Sequence, residues 1–132
     1  MRIDNGLLVI AVAVFWASAG AAPKPLNEMI LHAASYDGKI TTLSLRSTKQ
    51  GGYELKPIFP PATDGGPSPS WLVQKGNGLI NIDEGINAQQ GTITEYEEGP
   101  HGKLKLRASS KTQTGGLHGT LYAGGKALAV AH

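Results

Sequence analysis

PSWLVQKGNGLINIDE, residues Pro69 to Glu84, reads as strand, tight turn and strand. Trp71, Leu72 and Val73 open one extended run. Lys75-Gly76-Asn77-Gly78 supplies the turn, because its Asn-Gly pair tolerates positive φ. Leu79, Ile80 and Ile82 carry the return run, with Asn81 and Asp83 between them at period two. The same pattern returns at Leu117 to His132, LHGTLYAGGKALAVAH, and its second half occurs once before, at Met29 to Ser35. The chain therefore reads as a short repeat array.

Working outward, the turns between these runs repeat as well. Gly38-Lys39-Ile40-Thr41 matches Gly91-Thr92-Ile93-Thr94, and Gly52 matches Gly102. Ile80 and Ile82 match Leu128 and Val130. Lys39 to Leu45 sets Ile40, Thr42 and Ser44 on one face against Thr41, Leu43 and Leu45 on the other. Tyr53 to Phe59 reads as a strand stopped by Pro60-Pro61, and Gly91 to Glu97 and Lys103 to Ser109 as two more. Four short strands in a period of about 40–50 residues are the signature of a β-propeller blade. A compact sandwich of two hairpin pairs is the alternative, but it does not require every strand type to recur in order.

By strand type, residues 29–59 supply the second, third and fourth strands of a blade. Residues 69–110 supply one complete blade, and 117–132 the first two strands of another. The expected fold class is all-β, a partial β-propeller. A ring needs about four to eight blades. The chain is thus expected to be the N-terminal piece of a larger protein or a truncated product, breaking off inside a blade at Ala131-His132. Missing blades or self-association would be needed to cover its open sheet edges.

The 132 residues do not all belong to that fold. Residues 1–21 read as a secretory signal peptide. Arg2 gives a basic start, Gly6 to Trp16 is an apolar run, and Ala19-Gly20-Ala21 fits the small-x-small cleavage pattern. The mature chain would start at Ala22, with 22–28 a flexible lead-in and 29–132 the propeller part. Secretion to the extracellular space is expected, without a membrane anchor after cleavage, since the apolar run is short for a span. The net charge of +2 is too mild and dispersed for nucleic acid or an anionic membrane. There is no cysteine, so the domain lacks the usual staple of a small secreted protein.

The elements SYDGKITTLSL, GGYELK, SPSWL, LINIDEG, GTITEYE, HGKLK, Gly115-Gly116-Leu117-His118 and GGKALAVAH occur in the order of the seven-bladed β-propeller lactonases. The chain resembles that family, which includes 6-phosphogluconolactonase and the 3-carboxy-cis,cis-muconate lactonizing enzyme. It looks most like secreted fungal members, over residues 29–132. The resemblance implies hydrolysis of a sugar or carboxylic lactone without a cofactor, with the small-molecule lactone as partner. A muconate-type cycloisomerase and a non-catalytic secreted propeller fragment are the competing readings. Lactone chemistry needs a general acid/base and donors placed against developing negative charge.

His118 is the leading catalytic candidate. It follows Gly115-Gly116-Leu117 where an innermost strand begins, and imidazole titrates near neutrality. A solvated loop histidine is the competing reading. Glu84 is the second catalytic candidate, and Asp83 and Trp71 are candidates for substrate binding. Adjacent strand residues face opposite ways, so Asp83 and Glu84 cannot both line one site without a bulge. A strand-end or turn-capping carboxylate is the simpler role for that pair, and packing between blades the simpler role for Trp71. His32 reads as a core or interface histidine and His101 as an exposed turn residue. Glu95, Glu97 and Glu98 read as a solvated acidic face rather than a calcium site. No histidine pair has metal-ligand spacing, and no Gly-x-Ser-x-Gly elbow is present.

Overall fold

The computed structural model describes residues 27–132; the signal peptide and most of the lead-in read above lie outside them. The described chain is all-β, apart from one short 3-10 turn at Pro100–Gly102. Nine strands form three open antiparallel sheets whose order follows the sequence. The first sheet holds β1 (Met29–Ser35), β2 (Lys39–Ser47) and β3 (Tyr53–Pro57). The second holds β4 (Pro69–Lys75), β5 (Gly78–Asp83), β6 (Gly91–Glu98) and β7 (Leu104–Thr112). The third is the hairpin of β8 (His118–Tyr122) and β9 (Ala127–Ala131). Among the described residues no helix is long and apolar enough to cross a membrane.

Local chemistry explains the hairpins. The turn between β4 and β5 falls at Lys75 to Gly78 as expected, with Gly76-Asn77 at its centre. Lys75 pairs with Gly78, and Gly76 takes φ +56° while Asn77 keeps a negative φ. Glycine at the first central position suits a primed two-residue turn. Gly78 belongs to β5 instead, where an added Cβ would lie 2.7 Å from the Tyr96 carbonyl. The β1–β2 hairpin closes with Gly38 N–H donating to the Ser35 carbonyl at 3.1 Å.

β5 is the middle of the molecule. Ile80 and Ile82 are buried as expected, but so are Asn81 and Asp83 between them. Period two would have turned those two polar residues to solvent. They are buried because neighbouring elements cover both faces of β5. On one side Leu79 joins Ile40 and Tyr96, with Ala34, Ala62, Leu72 and Leu104 packed around them. On the other Ile82 faces the third sheet, where a Cβ on Gly119 would fall 2.2 Å from its Cδ1. Each fully buried aliphatic side chain there contributes roughly 1.5–3 kcal/mol.

β2 shows the same effect. Its hydroxyl-bearing face, with Ile40, Thr42 and Ser44, is the buried one, and the face with Leu43 and Leu45 is only half-buried. The buried hydroxyls are satisfied: Thr42 donates to the Gly102 carbonyl at 3.3 Å, and Ser44 to Glu28 at 2.7 Å. The sheets meet along their first strands, β1 lying against β4 and β4 against β8.

Candidate functional site

Where β4 meets β8, Trp71 and His118 form an aromatic pair. Their ring centroids are 4.3 Å apart at 50°. Trp71 Nε1 donates to the Gly119 carbonyl at 3.0 Å, which fixes the indole. Ser70 donates to the carbonyls of Ile82 and Gly116, at 3.0 and 2.6 Å, and ties the start of β4 to the segment before β8. Trp71 thus packs one sheet against the next and is partly exposed. His118 is exposed, and no described carboxylate bonds to it.

The expected carboxylates are placed differently from one another. Asp83 is fully buried. Its Oδ2 accepts from Ser68 N–H at 2.9 Å and its Oδ1 from Gly85 N–H at 2.6 Å. An added Cβ on Gly66 would fall 1.9 Å from Oδ2, so the loop closes directly over the carboxylate. Asp83 therefore braces the loop and caps the turn after β5, the turn-capping role read for it, and is not a solvated strand end. Glu84 is partly exposed. Its backbone donates to Ser68 and accepts from Gly115, at 3.0 and 2.8 Å, and its carboxylate accepts from the Tyr36 hydroxyl at 3.2 Å. Desolvation first, and then the Glu84 charge, raise the Tyr36 pKa. Neither carboxylate bonds His118, so the four candidates divide: Trp71 with His118, Asp83 and Glu84 elsewhere.

One polar arrangement was not legible beforehand, and a second gives the expected core or interface histidine its partners. Tyr96, 1% exposed, donates from its hydroxyl to Asp64 at 2.7 Å, and burial together with that carboxylate raises its pKa. Asp64 lies in the Ala62 to Ser68 connection, so only the fold brings the pair together. His32 spans the first and second sheets. Its Nδ1 lies 3.2 Å from Thr42 Oγ1 and its Nε2 3.6 Å from Glu98 Oε1, an ion-pair distance too long for a hydrogen bond. Burial holds the His32 pKa below its ordinary value, against the pull of Glu98.

The remaining candidates are structural or solvated. Glu95 pairs with Lys75 and Arg107 at 3.2 and 3.5 Å, and Glu98 accepts from Gln74 at 3.1 Å. Among the described residues no three His, Asp or Glu side chains converge as a metal site would require. His101 is exposed with φ +57°, and His132 Nδ1 lies 3.1 Å from the Thr114 carbonyl.

A groove of about 320 Å³ runs beside this site between β1 and β4. Ile30, Leu31, Trp71, Leu72 and Leu79 give it a mostly apolar lining, which Gly119 also joins. Its volume suits a small ligand or a short extended peptide. No protein-family model, curated protein or solved structure matches the chain.

Proposed function

We propose that the chain is built as blades of a lactonase-type β-propeller, with a sugar or carboxylic lactone as its ligand class. One observation carries the reading. A four-stranded meander, β4 to β7, stands between two partial sheets, and the three first strands abut in sequence order. This is the arrangement that blades around a common axis adopt. On this reading Trp71 and His118 stand at the inner end of the second and third blades.

His118 would take the proton of water attacking the lactone carbonyl. Among the described residues no cluster of donors faces it to stabilise the oxyanion, a term worth several kcal/mol in such reactions. Binding is therefore expected of these residues, and turnover only with groups from further blades. Titration with a sugar δ-lactone, followed by the NMR signals of the Trp71 indole and the His118 ring, tests the reading. Both signals should move at about 10 mM lactone, above the usual KM range. If neither moves, the lactone assignment fails.

A non-catalytic reading also has an observation behind it. The groove beside Trp71 is apolar, and one wall is a strand with a free backbone edge. Those are the attributes of a site for polypeptide.

A further inference from the structure

β1 and β5 are the same strand type in the repeat, yet their surroundings differ. β5 lies between β4 and β6, and five of its six residues are buried. Among the described residues β1 is hydrogen-bonded to β2 on one side and to no strand on the other, although β4 packs against it, and all seven of its residues are half-buried. The position that β4 fills beside β5 is open beside β1. The groove of about 320 Å³ runs along that opening.

The backbone there is ready to pair. The Ser35 carbonyl accepts from Gly38 N–H, so Ser35 faces β2. Alternation along an antiparallel strand then turns the N–H and C=O groups of Ala34, His32 and Ile30 to the open side. Unpaired edges of this kind are normally guarded by charge. The outer edge strands are so guarded: β3 carries Glu54 and Lys56, and β7 carries Lys105, Arg107 and Lys111. β1, MILHAAS, carries no Lys, Arg, Asp or Glu. Charge sits on the outer edges β3 and β7, while β1, like β8 and β9, carries none.

We propose that the open edge of β1 is a strand-acceptor site. It takes an extended, uncharged segment of about seven residues from a partner polypeptide, added antiparallel to β1 by backbone hydrogen bonding. The groove supplies the selectivity. Its apolar lining matches only a neutral segment with apolar residues at alternate positions, and it continues the seam along which β4 already packs on β8. The chain holds its own template for the occupant: β4, PSWLVQK, is uncharged from Pro69 to Gln74 and occupies the equivalent place beside β5. The proposal rests on the repeat and the edge, not on lactone chemistry, so an inactive lactone assay leaves it standing.

The test uses the full chain and a synthetic peptide of residues 67–75, PSPSWLVQK, as probe. The peptide should bind with a Kd at or below about 100 μM, tighter than a scrambled version by about tenfold or more. Hydrogen exchange should slow selectively at the amides of Ile30, His32 and Ala34. Peptides N-methylated at successive positions keep the protein unaltered: every second methyl should abolish binding, and the intervening ones should not. Ala34→Pro, which removes one outward N–H, should weaken binding about tenfold with the fold checked by its melting curve. No slowing at about 1 mM peptide, or slowing at β3 or β9 instead, would overturn the proposal. So would β1 amides already protected in a concentration-dependent dimer that the peptide does not displace, since a second copy would then be the occupant.

Discussion

Gly66→Ala should be among the most damaging single-methyl changes in this chain. The new Cβ would lie 1.9 Å from Asp83 Oδ2 and 2.5 Å from its Cγ. A side-chain end that close is harmless when it can swing away. This one cannot, because Asp83 is fully buried and its two oxygens hold the N–H groups of Ser68 and Gly85. Moving it forfeits at least one charge-assisted hydrogen bond, about 1.5–3 kcal/mol. Gly66 also sits at φ +98°, where an L side chain costs about 1–3 kcal/mol. The two together come to about 2.5–6 kcal/mol, against a typical domain stability of about 5–15. At about 4–8 °C per kcal/mol for a domain of this size, the melting temperature should fall by about 10 °C or more. Urea unfolding and thermal melts followed by circular dichroism measure this directly. A double-mutant cycle isolates the clash. In an Asp83→Ala background Oδ2 and Cγ are gone and only the Cβ, 2.9 Å away, remains, so Gly66→Ala should then cost mainly its backbone strain, leaving a coupling of about 1.5–3 kcal/mol. A loss under about 0.5 kcal/mol for Gly66→Ala, or simple additivity with Asp83→Ala, would refute the role assigned to Asp83.

Three further outcomes are expected. Trp71→Phe keeps an aromatic ring on His118 but removes the donor to Gly119. It should loosen the docking of β8 by about 1 kcal/mol, seen as faster amide exchange across His118–Tyr122, and unchanged exchange there would contradict the contact. Tyr96→Phe removes the hydroxyl held by Asp64 and should cost about 1 kcal/mol, with the urea midpoint lowered and the denaturant slope unchanged. His32 has a depressed folded pKa, so the unfolded chain binds its proton more readily than the folded one. Its contribution is complete above about pH 6.5 and is lost as pH falls below that, levelling off under the folded pKa. The melting temperature should therefore drop more between pH 8 and pH 5 in the wild type than in His32→Gln; equal slopes would exclude His32 as the source.

The strands were legible wherever apolar residues recur between turn residues. Trp71 to Val73, Leu79 to Ile82 and Ile40 to Leu45 fall in β4, β5 and β2. Three things were not, each because packing overrode a local rule. Period two makes Asn81 and Asp83 outward residues, but the sheets on either side bury them. The turn at Lys75 to Gly78 was legible, but not that Gly76 rather than the Asn-Gly pair takes the positive φ, because Gly78 lies in β5 where the Tyr96 carbonyl approaches. Alternation gave the two faces of β2 but not which is buried; Thr42 and Ser44 turn inward because Gly102 and Glu28 supply their partners from outside β2. The site divided in the same way. The repeat aligns the starts of β4 and β8, so the neighbourhood of Trp71 and His118 follows from the sequence. The turn-capping bond from Asp83 to Gly85 follows too, but the closure of Gly66 and Ser68 over the carboxylate does not, because neither residue has a pattern that points to it.

That division bears on what chemistry the described residues can do. General acid–base catalysis needs a titratable group within about 2.6–3.2 Å of the proton it moves. Asp83 meets the requirement only toward its own backbone and is closed off from solvent by Gly66. Glu84 holds the Tyr36 hydroxyl, and His32 lies buried between Thr42 and Glu98. His118 alone among these groups is exposed, and its one ring contact is the indole of Trp71. An indole face stacks and packs but relays no proton. A base without an orienting partner lacks the positioning on which efficient proton transfer depends. What the same residues do provide is a shaped apolar wall beside an unpaired strand. The proposed strand recognition draws on that wall, and the proposed lactone chemistry would need, beside His118, donors that the described residues do not place there.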